Sequence, residues 1–348
     1  MSGTPSSEVT SDDLQEPMHG ETAPVNQRQK ISARLQQMLA FGALILLFIF
    51  FSFASPNFLS WSNFTGLLMS AAVTGILALG ATFIIATAGI DLSVGTGMTL
   101  CAVMTGVFLN EEYLGLPLPV GLLLGLLAGV VLGLINGFNV AYLRIPPFIA
   151  TLAMMMVAQG LSLVISGTKP IYFTDVAGFG EIARGSIIPG PRFPNAVLIF
   201  FIATIIAAIL MNKGLIGRYS LSIGSNEEAT RISGINTRRW LLRIYVLAGA
   251  FTGLAGIVMA SRLNSAQPAL GIGYELEAIA AVVIGGTSLA GGRASIIGTL
   301  IGALLMAELS NGLQIMSIPQ EWQRVAIGIV ILIAVYADNL RRRKEAAT

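Results

Sequence analysis

From Leu35 to Ile90 the chain runs for 56 residues without one charged side chain. A helix crosses the hydrocarbon core of a bilayer in about 20 residues, so this stretch alone is long enough for two crossings. Further charge-free runs follow at Tyr113 to Leu143, Ile145 to Thr168, Phe193 to Asn212 and Ile244 to Ser261. Only 11% of residues are charged, against roughly a quarter in soluble domains, and 54% are hydrophobic. Backbone polar groups in lipid are satisfied only by helices or closed barrels. Barrel strands are short and alternate in polarity, whereas "FGALILLFIFFSF" is continuous. The fold class is therefore all-α, a polytopic membrane protein, and the 39 glycines fit helices packed backbone to backbone.

The apolar segments and their turn signals predict ten spans, at about 38–54, 64–86, 92–109, 119–142, 147–166, 195–212, 241–260, 274–290, 294–313 and 322–338. Positively charged loops are retained in the cytoplasm. With both termini cytoplasmic, fifteen of the twenty Lys and Arg residues fall inside, among them Arg144, six from Lys213 to Arg243, Arg293 and the run Arg341–Lys344. Residues 1–37 are polar and expected to be disordered. Residues 38–340 form the transmembrane domain and 341–348 a basic cytoplasmic tail. The outer connection at 167–194 mixes aromatic, proline and charged residues, and reads either as an ordinary exposed loop or as an ordered docking surface.

Catalytic chemistry has little to work with. Cys101 stands alone in an apolar stretch, and His19, the single histidine, lies in the polar amino-terminal segment. One chain can thus assemble neither a His-based triad nor a multi-His metal site, and no cofactor or metal is expected.

An inner connection at about 213–240 holds "GRYSLSIGSNEEATRISGINTRRWLLR". Ser225 and Glu228 have the spacing of a capping box, predicting a short helix over about 226–233 that Gly234 would end in the left-handed conformation. A short polar helix on a loop has little core to serve and can fit a partner's groove. "GSNEEATRISGIN" resembles the coupling loop of the ribose-type (monosaccharide) permeases of ATP-binding-cassette importers. The likeness extends through "GIDLSVG", "RIPPFIATLAMM" and "ASRLNSAQPALGIGYELEAIAAVVIGGTSLAGGRASIIGTLIGALL", covering roughly residues 40–340. It implies a bacterial inner-membrane protein paired with a second permease copy, either identical or a different chain. An ATPase subunit would dock on Asn226, Glu227, Glu228, Ala229, Arg231 and Gly234, and a periplasmic sugar-binding protein on the outer face, for which Lys169, Arg184, Arg192 and Arg262 are the candidate contacts. No lysine follows a glycine, so the phosphate-binding pattern GxxxxGK[ST] is missing and ATP hydrolysis belongs to another chain. Nucleic acid is not an expected partner.

Ionisable residues within spans are costly and so draw attention to function. Asp91 in "TAGIDLSVGTG" reads as a charged gate, or as the cap of a helix starting near Leu92. Glu275 and Glu277 lie two apart and point to different sides of their helix. One would face the translocation path and the other hold loop amides, with the resemblance favouring Glu275, beside Tyr274, for the path. Asn136, Asn139 and Gln159 offer amides either to a sugar or to neighbouring helices. Glu308 lies inside the ninth span, facing an interface, a wet cavity or neither. Trp61 and Trp322 sit where indole rings anchor the membrane interface. A proton-coupled secondary transporter using Asp91, Glu275 or Glu308 is the alternative to an ATP-driven importer. The glycine turns at 86–97 and 284–295 echo each other, pairing Gly89 with Gly286, Leu92 with Leu289 and Gly95 with Gly292, which is thin support for an internal duplication.

Overall fold

A computed structural model describes residues 25–188 and 193–346. In chain order the helices are α1 (Val25–Ala54), α2 (Trp61–Ala86), α3 (Val94–Leu109), α4 (Leu118–Ala141) and α5 (Pro147–Ile165), then the strand β1 (Ile171–Tyr172) and the single turn α6 (Glu181–Arg184). Next come α7 (Asn195–Asn212), α8 (Leu215–Ser225), α9 (Glu227–Ile232), α10 (Thr237–Leu263), the strand β2 (Ser265–Ala266), α11 (Tyr274–Ile284), α12 (Ile296–Ile315) and α13 (Gln320–Ala346). α1 already begins at Val25, because "NQRQK" consists largely of good helix formers and extends the apolar helix toward the amino terminus. α13 runs through the basic segment to Ala346 for the same reason, while residues 1–24 lie outside the described residues.

Eight of the helices are long and apolar enough to cross a membrane. The third predicted span is the 16-residue α3, and the eighth is a half-helix, since α11 has only 11 residues. At 1.5 Å per residue α11 covers about 16 Å, half of a hydrocarbon core of about 30 Å. The remainder of its crossing, 285–295, is irregular backbone. Such backbone persists at membrane depth only where protein satisfies it. Here Gly292 N–H donates to the Ala86 carbonyl (3.0 Å), Ser295 N–H to Thr287 Oγ1 (3.2 Å), and Gln37 Nε2 to Ser295 Oγ (2.6 Å).

α2 is the central post. Its membrane-spanning window is 83% buried against 6% for α13, so α13 is peripheral and α2 is surrounded by protein. Small residues make this possible: Gly75 receives the Phe200 ring from α7, and Gly80 lies against Ala248 and Phe251 of α10. A second packing seam joins α4 to α10. α4 carries glycine at every fourth position, Gly121, Gly125, Gly129, Gly133 and Gly137, which forms one stripe along the helix. The buried residues of α4 are those five glycines with Asn136 and Ala141. A Cβ at Gly129 would meet the Gly253 Cα at 2.7 Å, and one at Gly133 the Gly249 Cα at 3.0 Å. The stripe thus holds two helices at a separation that only hydrogen side chains allow, and close contact is what drives helix association in lipid.

The two echoing glycine turns meet in space. The Gly292 bond to Ala86 joins them, and Gly224 at the end of α8 packs on both. This gathers the turns at 86–93 and 285–295 and the α8–α9 connection at one end of the bundle. The β1–β2 ladder, Ile171 opposite Ala266 and Tyr172 opposite Ser265, lies at the other.

Candidate functional site

At the α8–α9 end, Asn226 has extended backbone (φ −164°), and its side-chain oxygen accepts the Ala229 N–H at 2.9 Å, capping α9. The expected Ser225–Glu228 capping box is therefore corrected. The chain leaves helical geometry one residue later, at Asn226, and Glu228 is free to pair with Arg231 instead (2.5 Å). Hydrogen bonding and charge from that guanidinium hold the Glu228 carboxyl below its ordinary range. Gly234 takes φ +84°, the left-handed end the sequence required. Among the described residues of α9 only Thr230 is buried, and Ile232 is 77% exposed, an apolar tip held away from the bundle. Behind α9 is a groove of about 880 Å³, walled by Glu228 and Arg231, by Arg144 of the α4–α5 turn, and by Thr87 and Gly89, with Tyr245 also lining it. Glu227, exposed, also lines it, and Ala229 is exposed beside it.

A buried polar centre lies above that groove. Asp91 is 7% exposed, and Oδ1 accepts both the Ser93 N–H (2.8 Å) and the Ser93 hydroxyl (2.6 Å). The helix begins at Val94 and not near Leu92, so Asp91 locks the turn before the helix without being its terminal cap. Asn136 Nδ2 donates to Ser93 Oγ (2.8 Å), tying α4 to this turn, and Thr151 on α5 accepts the Leu92 N–H (3.1 Å). Asn136 Oδ1 and Tyr245 OH are buried without a partner. Asp91→Asn keeps the acceptor and is expected to leave the thermal midpoint of the purified protein nearly unchanged. Asp91→Ala leaves the buried Ser93 N–H unsatisfied and should cost about 1–3 kcal/mol, read in the same melting experiment.

The third group is at the mouth of α11. The segment before it descends from β2 until Gly271 lies against the Gly95 backbone and Thr99 of α3. Glu275 is 5% exposed, and its carboxylate turns back to accept the Gly273 N–H (3.0 and 3.1 Å). Glu277 is half-buried and accepts from Thr74 Oγ1 (3.4 Å). Thr74 lies midway along the 26-residue α2, so Glu277 meets that helix at the middle of its length. Glu275 thus holds an amide of its own loop, while Glu277 and Tyr274 are both half-buried. Gln159 is half-exposed on α5, away from these contacts, and Glu308 is buried with both carboxylate oxygens unpartnered. At the ladder end Lys169 and Arg184 are exposed and Arg262 half-buried in the last turn of α10, whereas Arg192 lies outside the described residues. Sequence reasoning passed over Tyr245, Ser93, Thr151 and Thr74. Tyr245 lies against Gly133 and Gly137 of the α4 stripe, a contact between distant helices that a period of four does not reveal.

Among the described residues, eight apolar helices of spanning length, the shorter α3, the half-helix α11 and a capped helix projecting from one end define a polytopic membrane permease. A family described as branched-chain amino acid transport system / permease component matches residues 63–335, and the chain belongs to it. It is 44% identical over 314 residues to the ribose import permease protein RbsC of Bacillus subtilis, an alignment covering 90% of this chain and 94% of that one. Against the RbsC of Escherichia coli K12 the identity is 39% over 315 residues, 89% and 96% of the two chains. The xylose transport system permease protein XylH of the same strain is 32% identical over 372 aligned positions, 90% and 94%. No solved structure matches the chain.

Proposed function

We propose that this chain is the membrane-spanning subunit of an ATP-driven importer of a monosaccharide, ribose or a close relative. The observation that carries the reading is the 44% identity to a ribose import permease over nine-tenths of both chains. A permease component of a transport system works with other components, which a self-sufficient proton-coupled carrier does not need. An ATPase subunit docks on α9 through Asn226, Glu227, Glu228, Ala229 and Arg231, with Gly234 fixing the exit of the loop. The exposed, capped geometry of α9 supports this. The α8–α9 end is cytoplasmic, as are both termini, and the ladder end faces the periplasm, where a sugar-binding protein meets Lys169, Arg184 and Arg262. Two permease copies face each other across the path. Glu277, Thr74 and Tyr274 line it at mid-depth, and Asp91 and Asn136 hold its inner turn.

Reconstitution tests this directly. Labelled ribose should enter proteoliposomes only when this chain, the ATPase subunit, the binding protein and ATP are all present, and uptake should persist when a protonophore collapses the proton gradient. Uptake by this chain alone, or uptake lost to the protonophore while ATP is maintained, would overturn the proposal.

A further inference from the structure

The ladder end contains more organisation than a docking loop requires. α10 stops at Asn264, whose left-handed backbone (φ +52°) turns the chain sharply into β2. There Tyr172 pairs with Ser265 and Ile171 with Ala266, and the Phe173 N–H donates to the Asn264 carbonyl (3.1 Å) to extend the ladder. Three residues before that bend, Ser261 is fully buried. Its hydroxyl donates to the Phe179 carbonyl (2.6 Å) and accepts the Ala183 N–H (2.9 Å), so one side chain ties two points of the outer loop to α10. Phe173 and Phe179 stack with ring centroids 3.9 Å apart and close the same loop on itself. Ile171 lies on Gly106 of α3, where a Cβ would meet its Cγ2 at 3.0 Å.

From β2 the chain has only seven residues, 267–273, to reach the amino terminus of α11. Gln267 Nε2 bonds back to Ser265 Oγ (3.0 Å), and Gly271 meets the Gly95 backbone. Gly273 then starts α11 at φ +104°, a conformation essentially confined to glycine. The segment between Asn264 and Gly273 is thus short, hydrogen-bonded to the outer loop, and bounded at both ends by left-handed residues that concentrate bending there. Its far end carries Glu275, locked on the Gly273 N–H, and Glu277, which meets the middle of α2.

We infer that the outer loop at 171–184 and the segment at 265–273 move as one strap, through which docking of the binding protein at the outer loop displaces the half-helix α11, with Ser261 as the positioning residue that fixes the strap to α10. The inference rests on the reading of the outer loop as the docking surface. Coupling of this kind requires a continuous physical connection biased at both ends, and the ladder, the Ser261 bridge and the Gly95–Gly271 contact supply one.

The test uses the complete complex of permease, ATPase and binding protein in lipid nanodiscs. Ser261→Ala removes the bridge and leaves the ladder and the α8–α9 end intact. Stimulation of ATP hydrolysis by the sugar-loaded binding protein should fall about fivefold, at the lower edge of ordinary coupling energies, while the basal rate stays unchanged. Tyr172→Cys with Ser265→Cys, in a Cys101→Ser chain, places two thiols on directly opposed ladder residues, a geometry a disulfide can span. Oxidising that pair should leave uptake intact, because the strands stay paired through the cycle, and should restore stimulation when added to Ser261→Ala. Wild-type stimulation in Ser261→Ala, or uptake abolished by the disulfide and recovered on reduction, would overturn the strap alone. A wild-type complex that the binding protein fails to stimulate would instead overturn the docking surface itself.

Discussion

Gly129→Leu is expected to abolish the folded permease. The four added carbons have nowhere to go: even the first would lie 2.7 Å from the Gly253 Cα and 2.6 Å from its nitrogen, and both neighbours are backbone. Side chains can change rotamer, but backbone inside a helix cannot retreat without moving the whole of α10. α10 also packs on α2 and α3, so shifting it opens those seams as well. Overpacking in an adaptable core costs about 1–3 kcal/mol, and a contact that cannot relax belongs beyond the upper end of that range. The monodisperse peak in detergent should disappear, or the thermal midpoint of what remains should collapse. Val131→Leu, two residues along on the face that is 51% exposed, enlarges the same helix toward lipid and should change neither. If both variants behave like wild type, the α4–α10 seam does not hold the bundle together.

The glycines of α4 show how much of this fold could be read in advance. Charge-free runs fixed where most helices lie, because the absence of charge over some 20 residues has few other physical meanings. What the stripe packs against could not be read, since a period of four names a face and leaves the partner open. α11 escaped for a different reason. Its 274–290 segment is as apolar as a full span, but Gly285 and Gly286 end the helix where Gly298 of α12 needs the space, a contact between distant residues with no local signature. Glu275 and Glu277, two apart in the first turn of α11, have different surroundings because the left-handed Gly273 aims its N–H at Glu275. Local chemistry was legible where it is self-contained, as in the left-handed end at Gly234. It failed by one residue at the start of α9, because Ser225 and Asn226 are both able caps and the α8 packing of Ser220 and Ile223 decides where the preceding helix stops.

Glu228→Arg is the second large effect, and it should leave the fold untouched. Glu228 and Arg231 are both about two-thirds exposed, so reversing the charge disturbs nothing buried. Within α9 the change sets two guanidinium groups three residues apart and removes an acid from the first turn, where negative charge favours a helix, but the Asn226 cap remains. Membrane insertion and thermal midpoint should therefore match wild type. The surface proposed to dock the ATPase changes sign, and like charge set against a matched partner both weakens a complex and slows its formation. ATP-driven uptake should fall roughly tenfold or more, with a parallel loss of co-purified ATPase subunit. The double exchange Glu228→Arg with Arg231→Glu separates the two explanations. It restores the internal ion pair while leaving the charges transposed on the surface, so docking through these side chains predicts that uptake stays low. Recovery of uptake in the double exchange would mean that Glu228 serves only to stabilise α9, and the ATPase must then grip the loop elsewhere.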